Sequence, residues 1–271
     1  MKQNIMVVSI FLVGLCIFFY PTVSNYLATR THYSEVSMYD EAVKKLQEEE
    51  VSRKEAKARE YNAKVQSTVQ TFDDPFRNRE EENESSYVDI LNIGDSMGHV
   101  EIPKIGVNIP IYQGTSEEVL GRGIGQLNES SLPIGGDSTH TVLTGHSGLP
   151  SALMFTHLNK LNKDDIFYIY SLDKVLAYKV DQIKVVLPNE TEDLLIVKGK
   201  DYATLITCTP YGVNTHRLLV RGHRIPYSNG EKEVMKTPIL VENWMIVLSI
   251  IMICGGAFIM YLKKVRKHKV K

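Results

Sequence analysis

The stretch that most limits what this chain can fold into is Thr204–Arg224, TLITCTPYGVNTHRLLVRGHR. The β-type run Ala203–Thr207 stops at a turn built from Pro210, Gly212 and Asn214, and an apolar run resumes at Leu218–Val220. Cys208 closes the first run and Arg217 opens the second, nine positions later. If the turn is a hairpin, both side chains meet at one end of a sheet. A thiol facing a fixed cation can serve as a nucleophile with an anion-stabilising partner. The plainer alternative is a small buried Cys in a core strand, and the polar turn beside it argues against that.

The chain before this hairpin also reads as β from Gly98 onward. Val100/Ile102 and Val107/Ile109/Ile111 alternate, with Pro103 and Pro110 marking edges or bends. Thr141–Leu143, Ile166–Tyr170, Val175–Val180 and Ile183–Leu187 follow as short strands. Many short strands with few helices predict a mainly β, closed or nearly closed barrel. Gly121, Gly123 and Gly125 do not form a phosphate loop, because Gln126 stands out of pattern and no lysine follows; they read as turns.

A cysteine nucleophile needs a proton-transfer partner, usually distant in sequence. The candidates are His32, His99, His140, His146, His157, His216 and His223. His146 follows a short strand within TGHSGLP, on a sharply turned loop. A zinc site built from Cys208 and histidines lacks a close-spaced ligand pair, so no metal or cofactor is expected.

Tyr33–Val69 reads as a helical arm. Ser52-x-x-Glu55 has capping-box spacing, which predicts a break into two helices near Val51. Glu41–Lys45, Glu50–Lys54 and Glu55–Arg59 support a solvated surface. The short apolar face at Tyr39, Val43 and Leu46 suits light packing on the chain's own domain better than a coiled coil. Thr71–Ser86 is charged and broken by Pro75, as a connector is. Within it Asp74-Pro75-Phe76 lines up an acid, a rigid bend and an aromatic, a trio able to dock in a cleft with the acid on a cation.

The ends of the chain are apolar. Ile5–Tyr20, closed by Pro21, fits a signal-peptide core or a short membrane span, and without a small-x-small cleavage site an uncleaved anchor is favoured. Trp244–Leu262 is about nineteen apolar residues long and precedes Lys263, Lys264, Arg266, Lys267, Lys269 and Lys271. That basic tail belongs in the cytoplasm and the domain before it outside. Setting both segments aside leaves about 200 of the 271 residues, enough for one domain. The net charge of -1 excludes a domain-wide basic excess, and with it nucleic acid as a partner. Cys16 and Cys254 lie in the apolar segments, which leaves Cys208 alone and unable to form an internal disulfide.

Thr204–Gly222 resembles the sortases, cysteine transpeptidases of the outer face of Gram-positive bacteria, and within them the pilus-building class C branch, whose motif runs TLxTCTPYGxNTHRLLVRG. The resemblance covers about Asp73 to Arg224. It implies an eight-stranded β-barrel with Cys208, His146 and Arg217 as the catalytic group, His146 being matched through the family's TGH motif. It also implies a lid formed by Asp74, Pro75 and Phe76, with Asp74 facing Arg217 and Phe76 covering Cys208; Asp73 competes with Asp74 for the register. The expected organisation is an anchor (1–22), a helical arm (23–70), a lid segment (71–86), the barrel (87–227), a linker (228–243), a transmembrane helix (244–262) and a basic tail (263–271). The implied reaction cleaves an LPxTG-like signal between Thr and Gly and joins it to a lysine amine of a pilin, at the cell membrane. The alternatives are a housekeeping sortase that attaches proteins to the cell-wall precursor and a non-catalytic, membrane-tethered binding module.

Overall fold

The computed structural model describes residues 2–77, 89–227 and Gly255. The expected linker 228–243, the Trp244–Leu262 span, the basic tail and positions 78–86 of the lid segment lie outside the described residues.

Eight strands close into one mixed barrel. They are β1 Gly98–Ile102, β2 Val107–Gln113, β3 Ile124–Gln126, β4 Thr139–Thr144, β5 Ile166–Ser171, β6 Lys174–Val186, β7 Asp201–Thr209 and β8 His216–Ile225, in the order β1-β2-β3-β4-β7-β8-β6-β5. The two strands expected at 175–180 and 183–187 are one: β6 continues through a register shift between Val180 and Gln182. A bulge of this kind bends a strand without ending it, so the apolar pattern breaks while the ladder runs on.

Strand alternation sorts β7 and β8 into two faces. Ala203 and Leu205 of β7 and Leu218 and Val220 of β8 enter the barrel core with Val100, Ile111, Leu143 and Phe167. Ile206 and Leu219 point to the other face, where with Val142 and Val186 they form a second apolar cluster outside the barrel. Cys208 and Arg217 share the parity of Ile206 and Leu219, so both belong to this outer surface. Gly125 sits within β3 and not in a turn; a Cβ there would meet the Gly114 carbonyl oxygen at 2.3 Å, so close backbone approach explains the glycine.

Helix α1 runs from Lys2 to Lys45, straight through Pro21, and α2 from Glu48 to Ser67. The break therefore falls at Leu46–Gln47 and not near Val51. Gln47 is extended (φ −74°, ψ 146°) and caps with no side-chain bond, and Ser52 lies inside α2. Packing on the barrel overrides the capping signal: Tyr39 donates to the Met97 carbonyl (3.2 Å), whereas α2 buries Ala58, Asn62 and Val65. Asn62 pairs with both backbone groups of Leu132 (2.7 and 3.2 Å). The chain must reverse between these contacts.

Ser9–Lys45 is long and apolar enough to cross a membrane by length and composition. Ile10, Val13, Ile17, Phe18 and Val23 are exposed on it.

Candidate functional site

Strands β4 and β7 are parallel neighbours, with Thr144 opposite Ile206. Their C-terminal ends therefore reach the same rim of the barrel. There β4 passes into Gly145-His146 and β7 ends on Cys208-Thr209. Strand β8 starts at this rim too, and in the β7–β8 ladder Cys208 lies directly opposite Arg217. The cysteine and arginine expected to meet across a hairpin are cross-strand partners. The turn between them also fixes the arginine: its NH1 donates to the backbone carbonyls of Asn214 and His216, each at 2.9 Å. Asn214 has φ 61°, a left-handed conformation that Asn tolerates better than most residues. This is the local contribution of the Asn214-Thr215-His216 run; the His216 ring meets the Thr215 hydroxyl at 2.9 Å.

The segment 70–76 lies across this surface, with Gln70, Phe72 and Asp74 turned inward and the chain entering a turn at Asp74–Arg77, where Pro75 is buried and Arg77 N–H donates to the Asp74 carbonyl at 3.1 Å. Gln70 accepts from the Ile196 backbone N–H (2.8 Å) and donates to the Glu129 carbonyl (3.3 Å). Phe72 is buried in the outer cluster with Leu127, Val142, Val186, Leu194, Ile206 and Leu219. Asp74 meets Arg217 side-on through two charge-assisted bonds, 2.7 Å from Nε and 2.6 Å from NH2. The Phe76 ring lies between the Arg217 guanidinium (5.1 Å) and the His146 ring (5.6 Å). Of the two competing acids, Asp74 is the one in register with Arg217. Phe76 touches the arginine and the histidine, where the family resemblance implied a cover over Cys208.

His146 is held through its backbone, whose carbonyl accepts from Phe155 N–H at 3.0 Å. Its Nε2 faces Glu117 at 3.8 Å, at the start of α3 (Glu117–Arg122). Burial lowers the His146 pKa, and the Glu117 carboxylate opposes that shift. Burial pushes the Cys208 thiol up to about 11, the Arg217 cation pulls it down, and Asp74 pushes it up again. With segment 70–76 in place, both groups are therefore mainly neutral at pH 7. Burial works against the Arg217 cation, but the bonds to Asp74 together with the charges of Cys208 and Asp74 outweigh it and raise its pKa.

The other histidines are elsewhere. His140, on β4 itself, is buried with its ring nitrogens on the Leu195 carbonyl (3.0 Å) and the Thr204 hydroxyl (2.7 Å). His99 stacks on Tyr170 and touches Asn108 and Asp40. His32 meets the Arg122 carbonyl. His223 faces Asp181 at 3.7 Å. Sequence reasoning missed Gln70, Phe72 and Glu117. For the first two a signal existed: positions 70, 72 and 74 carry the period of an extended strand, up to the turn at Pro75, inside a stretch whose composition reads as connector.

A closed barrel that brings a histidine loop, a cysteine and an arginine to one rim has the architecture of a sortase-type protein. The chain belongs to the sortase family: the sortase domain model matches residues 100–225. Among solved structures it is similar to the pilus-related sortase C of group B Streptococcus, 49% identical over 70% of this chain and 96% of that one, with a TM-score of 0.65. Sortase C of Streptococcus pneumoniae is 47% identical over 72% and 97%, TM-score 0.67. Sortase C1 of Streptococcus agalactiae is 46% identical over 75% and 100%, TM-score 0.69. Among curated relatives, sortase A of Streptococcus agalactiae serotype III is 30% identical over 42% of this chain. Sortase A of Bacillus anthracis is 28% identical over 46%. The chain spans about half the length of these two curated relatives, 47% and 58%.

Proposed function

We propose that the protein is a membrane-anchored cysteine transpeptidase that polymerises pilin subunits, with Cys208 as nucleophile, His146 as proton carrier and Arg217 as oxyanion partner. The observation that carries this reading is the cross-strand pairing of Cys208 with Arg217 on a rim shared with His146.

In the first half-reaction the Cys208 thiolate, in the form of the site in which His146 carries the proton, attacks the carbonyl carbon between Thr and Gly of an LPxTG-like signal. Negative charge collects on the carbonyl oxygen, and the Arg217 guanidinium, fixed by the Asn214 and His216 carbonyls, stabilises it. The C–N bond breaks as protonated His146 gives its proton to the departing glycine amine. A thioester on Cys208 remains. In the second half-reaction a neutral lysine amine of another pilin attacks that thioester. The C–S bond breaks, His146 takes the amine proton, and an isopeptide bond forms.

Before either step, Asp74, Pro75 and Phe76 must leave, because Asp74 occupies the guanidinium that the oxyanion needs. Removing Asp74 and exposing the thiol both lower the Cys208 pKa. The lid therefore suppresses the thiolate as well as blocking access.

The test is to mix the lid-opened ectodomain with candidate pilins from the same genome. A ladder of covalent multimers, lost when the acceptor lysine is replaced, supports the proposal. Transfer only to glycine-type or lipid-linked cell-wall amines would assign the chain to housekeeping attachment instead.

A further inference from the structure

The first apolar helix and the catalytic rim are connected more directly than the sequence suggests. Below Ser24 the side chains described on α1 are nearly all exposed and mostly apolar; from Ser24 onward the helix begins to bury against the barrel. The first polar contact comes at once, where Asn25 Oδ1 accepts the Leu153 backbone N–H at 2.9 Å. Leu153 lies on the loop that follows His146, and that loop is closed by the bond from Phe155 N–H to the His146 carbonyl. Two hydrogen bonds and two residues of chain separate Asn25 from His146, a span on the order of 10 Å.

Further along α1 the contacts move steadily away from that rim. His32 meets the carbonyl of Arg122, at the end of α3. Tyr112 of β2 donates to Glu35 at 2.5 Å. Tyr39 meets Met97 and Leu172. Strand β2 is parallel to β3, and β3 is antiparallel to β4. The N-terminal end of β2 is therefore at the His146 end of the barrel, and α1 travels with β2 toward the opposite end. Helix α2 continues there, close to Ile134, Gly136 and Asp201, where β7 begins.

We infer that α1 holds the barrel with its Cys208–Arg217–His146 rim turned toward the bilayer, so that the site takes a peptide lying next to its own membrane span. This rests on the proposed anchor and peptide chemistry, and it adds an orientation and a height. The helix is continuous across the membrane boundary, so the rim is set at a fixed distance and not tethered loosely. The apolar run Ile5–Tyr20 ends four residues before burial against the barrel begins at Ser24, which leaves about one helical turn between lipid and protein. The partner surface is the bilayer interface. Strand β8 ends at Ile225, at the opposite end from Arg217, so the chain leaves the barrel far from the membrane. A return is within reach, because residues 228–243 span up to about 50 Å when extended.

An orientation measurement independent of activity tests this. The full chain, with Cys16, Cys208 and Cys254 changed to Ala, is reconstituted in phosphatidylcholine–phosphatidylglycerol vesicles carrying a headgroup acceptor dye. A donor dye is placed at Pro150→Cys, on the His146 loop, or at Lys198→Cys, just before β7. Energy transfer is expected to be several-fold stronger from position 150. Equal transfer, or stronger transfer from 198, overturns the orientation whatever the chemistry proves to be.

A second arm inserts seven helix-forming residues after Val23, lifting the rim by about 10 Å. Adduct formation with a soluble sorting peptide should change less than two-fold. Processing of a bilayer-anchored donor should fall at least ten-fold, and a matching spacer in the donor should restore it. Unchanged processing of the anchored donor overturns the inference, whereas failure with the soluble peptide before any insertion counts against the proposed reaction itself.

Discussion

Strands β7 and β8 carry an arginine–aspartate pair at each end, and the two pairs are built differently. At the far end Asp201 opens β7 itself. It accepts from the Gly136 N–H (2.8 Å) and the Tyr178 hydroxyl (2.9 Å), and Arg224 stands off at 4.0 Å. At the Cys208 end Asp74 comes from a separate segment and holds Arg217 at 2.6–2.7 Å through both oxygens, its Oδ1 also accepting from the Phe76 N–H at 3.4 Å. The first aspartate is part of the sheet's own hydrogen bonding. The second binds through the arginine, which its own turn also holds through the Asn214 and His216 carbonyls. Under the proposed lid, Asp74 is a removable acid on a fixed cation, and the far-end pair shows what a permanent one looks like.

The strongest way to break this contrast is at the cations. Arg217→Lys keeps a charge but loses the planar fork. Steady-state cleavage of a sorting peptide should fall by about 10²–10³, the range for losing an oxyanion donor. Arg224→Lys should leave that rate within about two-fold. Similar losses from both would remove the functional distinction between the two ends.

Next come the acids. Asp74→Ala should speed alkylation of Cys208 at pH 8 several-fold, because it removes a carboxylate that disfavours the thiolate. The pH midpoint of alkylation should move below the wild-type value, since Asp74 raises the thiol pKa and Arg217 lowers it. An unchanged midpoint would mean that segment 70–76 only shields the thiol. Asp201→Ala should do the reverse: it leaves the Gly136 N–H and Tyr178 hydroxyl unpaired, costs about 1–3 kcal/mol in urea unfolding, and leaves alkylation untouched.

Phe72→Ala sharpens the comparison from the apolar side. It removes the anchor that seats the segment among Val186, Leu194 and Ile206, so alkylation should rise several-fold and its pH midpoint should move down, by less than in Asp74→Ala. The smallest effect belongs to Glu117. Its carboxylate raises the His146 pKa against burial, so Glu117→Gln should move the His146 limb of the pH–rate profile to lower pH. A shift upward would contradict the geometry.

Much of the catalytic end is readable in the sequence because it is local. Eight residues between Cys208 and Arg217, with Pro, Gly and Asn among them, leave few alternatives to a hairpin, and a hairpin makes them neighbours. The Asp74–Arg217 contact spans 143 positions, and only the family resemblance connected them. Gln70 and Phe72 escaped because the surrounding Asp, Glu and Asn make the segment look solvated; its partners are tertiary. The helix boundary at Leu46–Gln47 escaped for the same reason, since docking on Met97 and Leu132 decides where the chain turns. Pro21 gave no stop because helix continuity in an apolar setting outweighs one missing bond, as membrane helices commonly show.

The most direct measurement is the intact mass of the ectodomain after incubation with an LPxTG peptide, made on Asp74→Ala to hold the site open. The expected result is a single added mass equal to the peptide up to its Thr, localised to Cys208 and released by a lysine-containing acceptor. An unmodified protein whose Cys208 still reacts fully with iodoacetamide would contradict the cysteine mechanism proposed for this site.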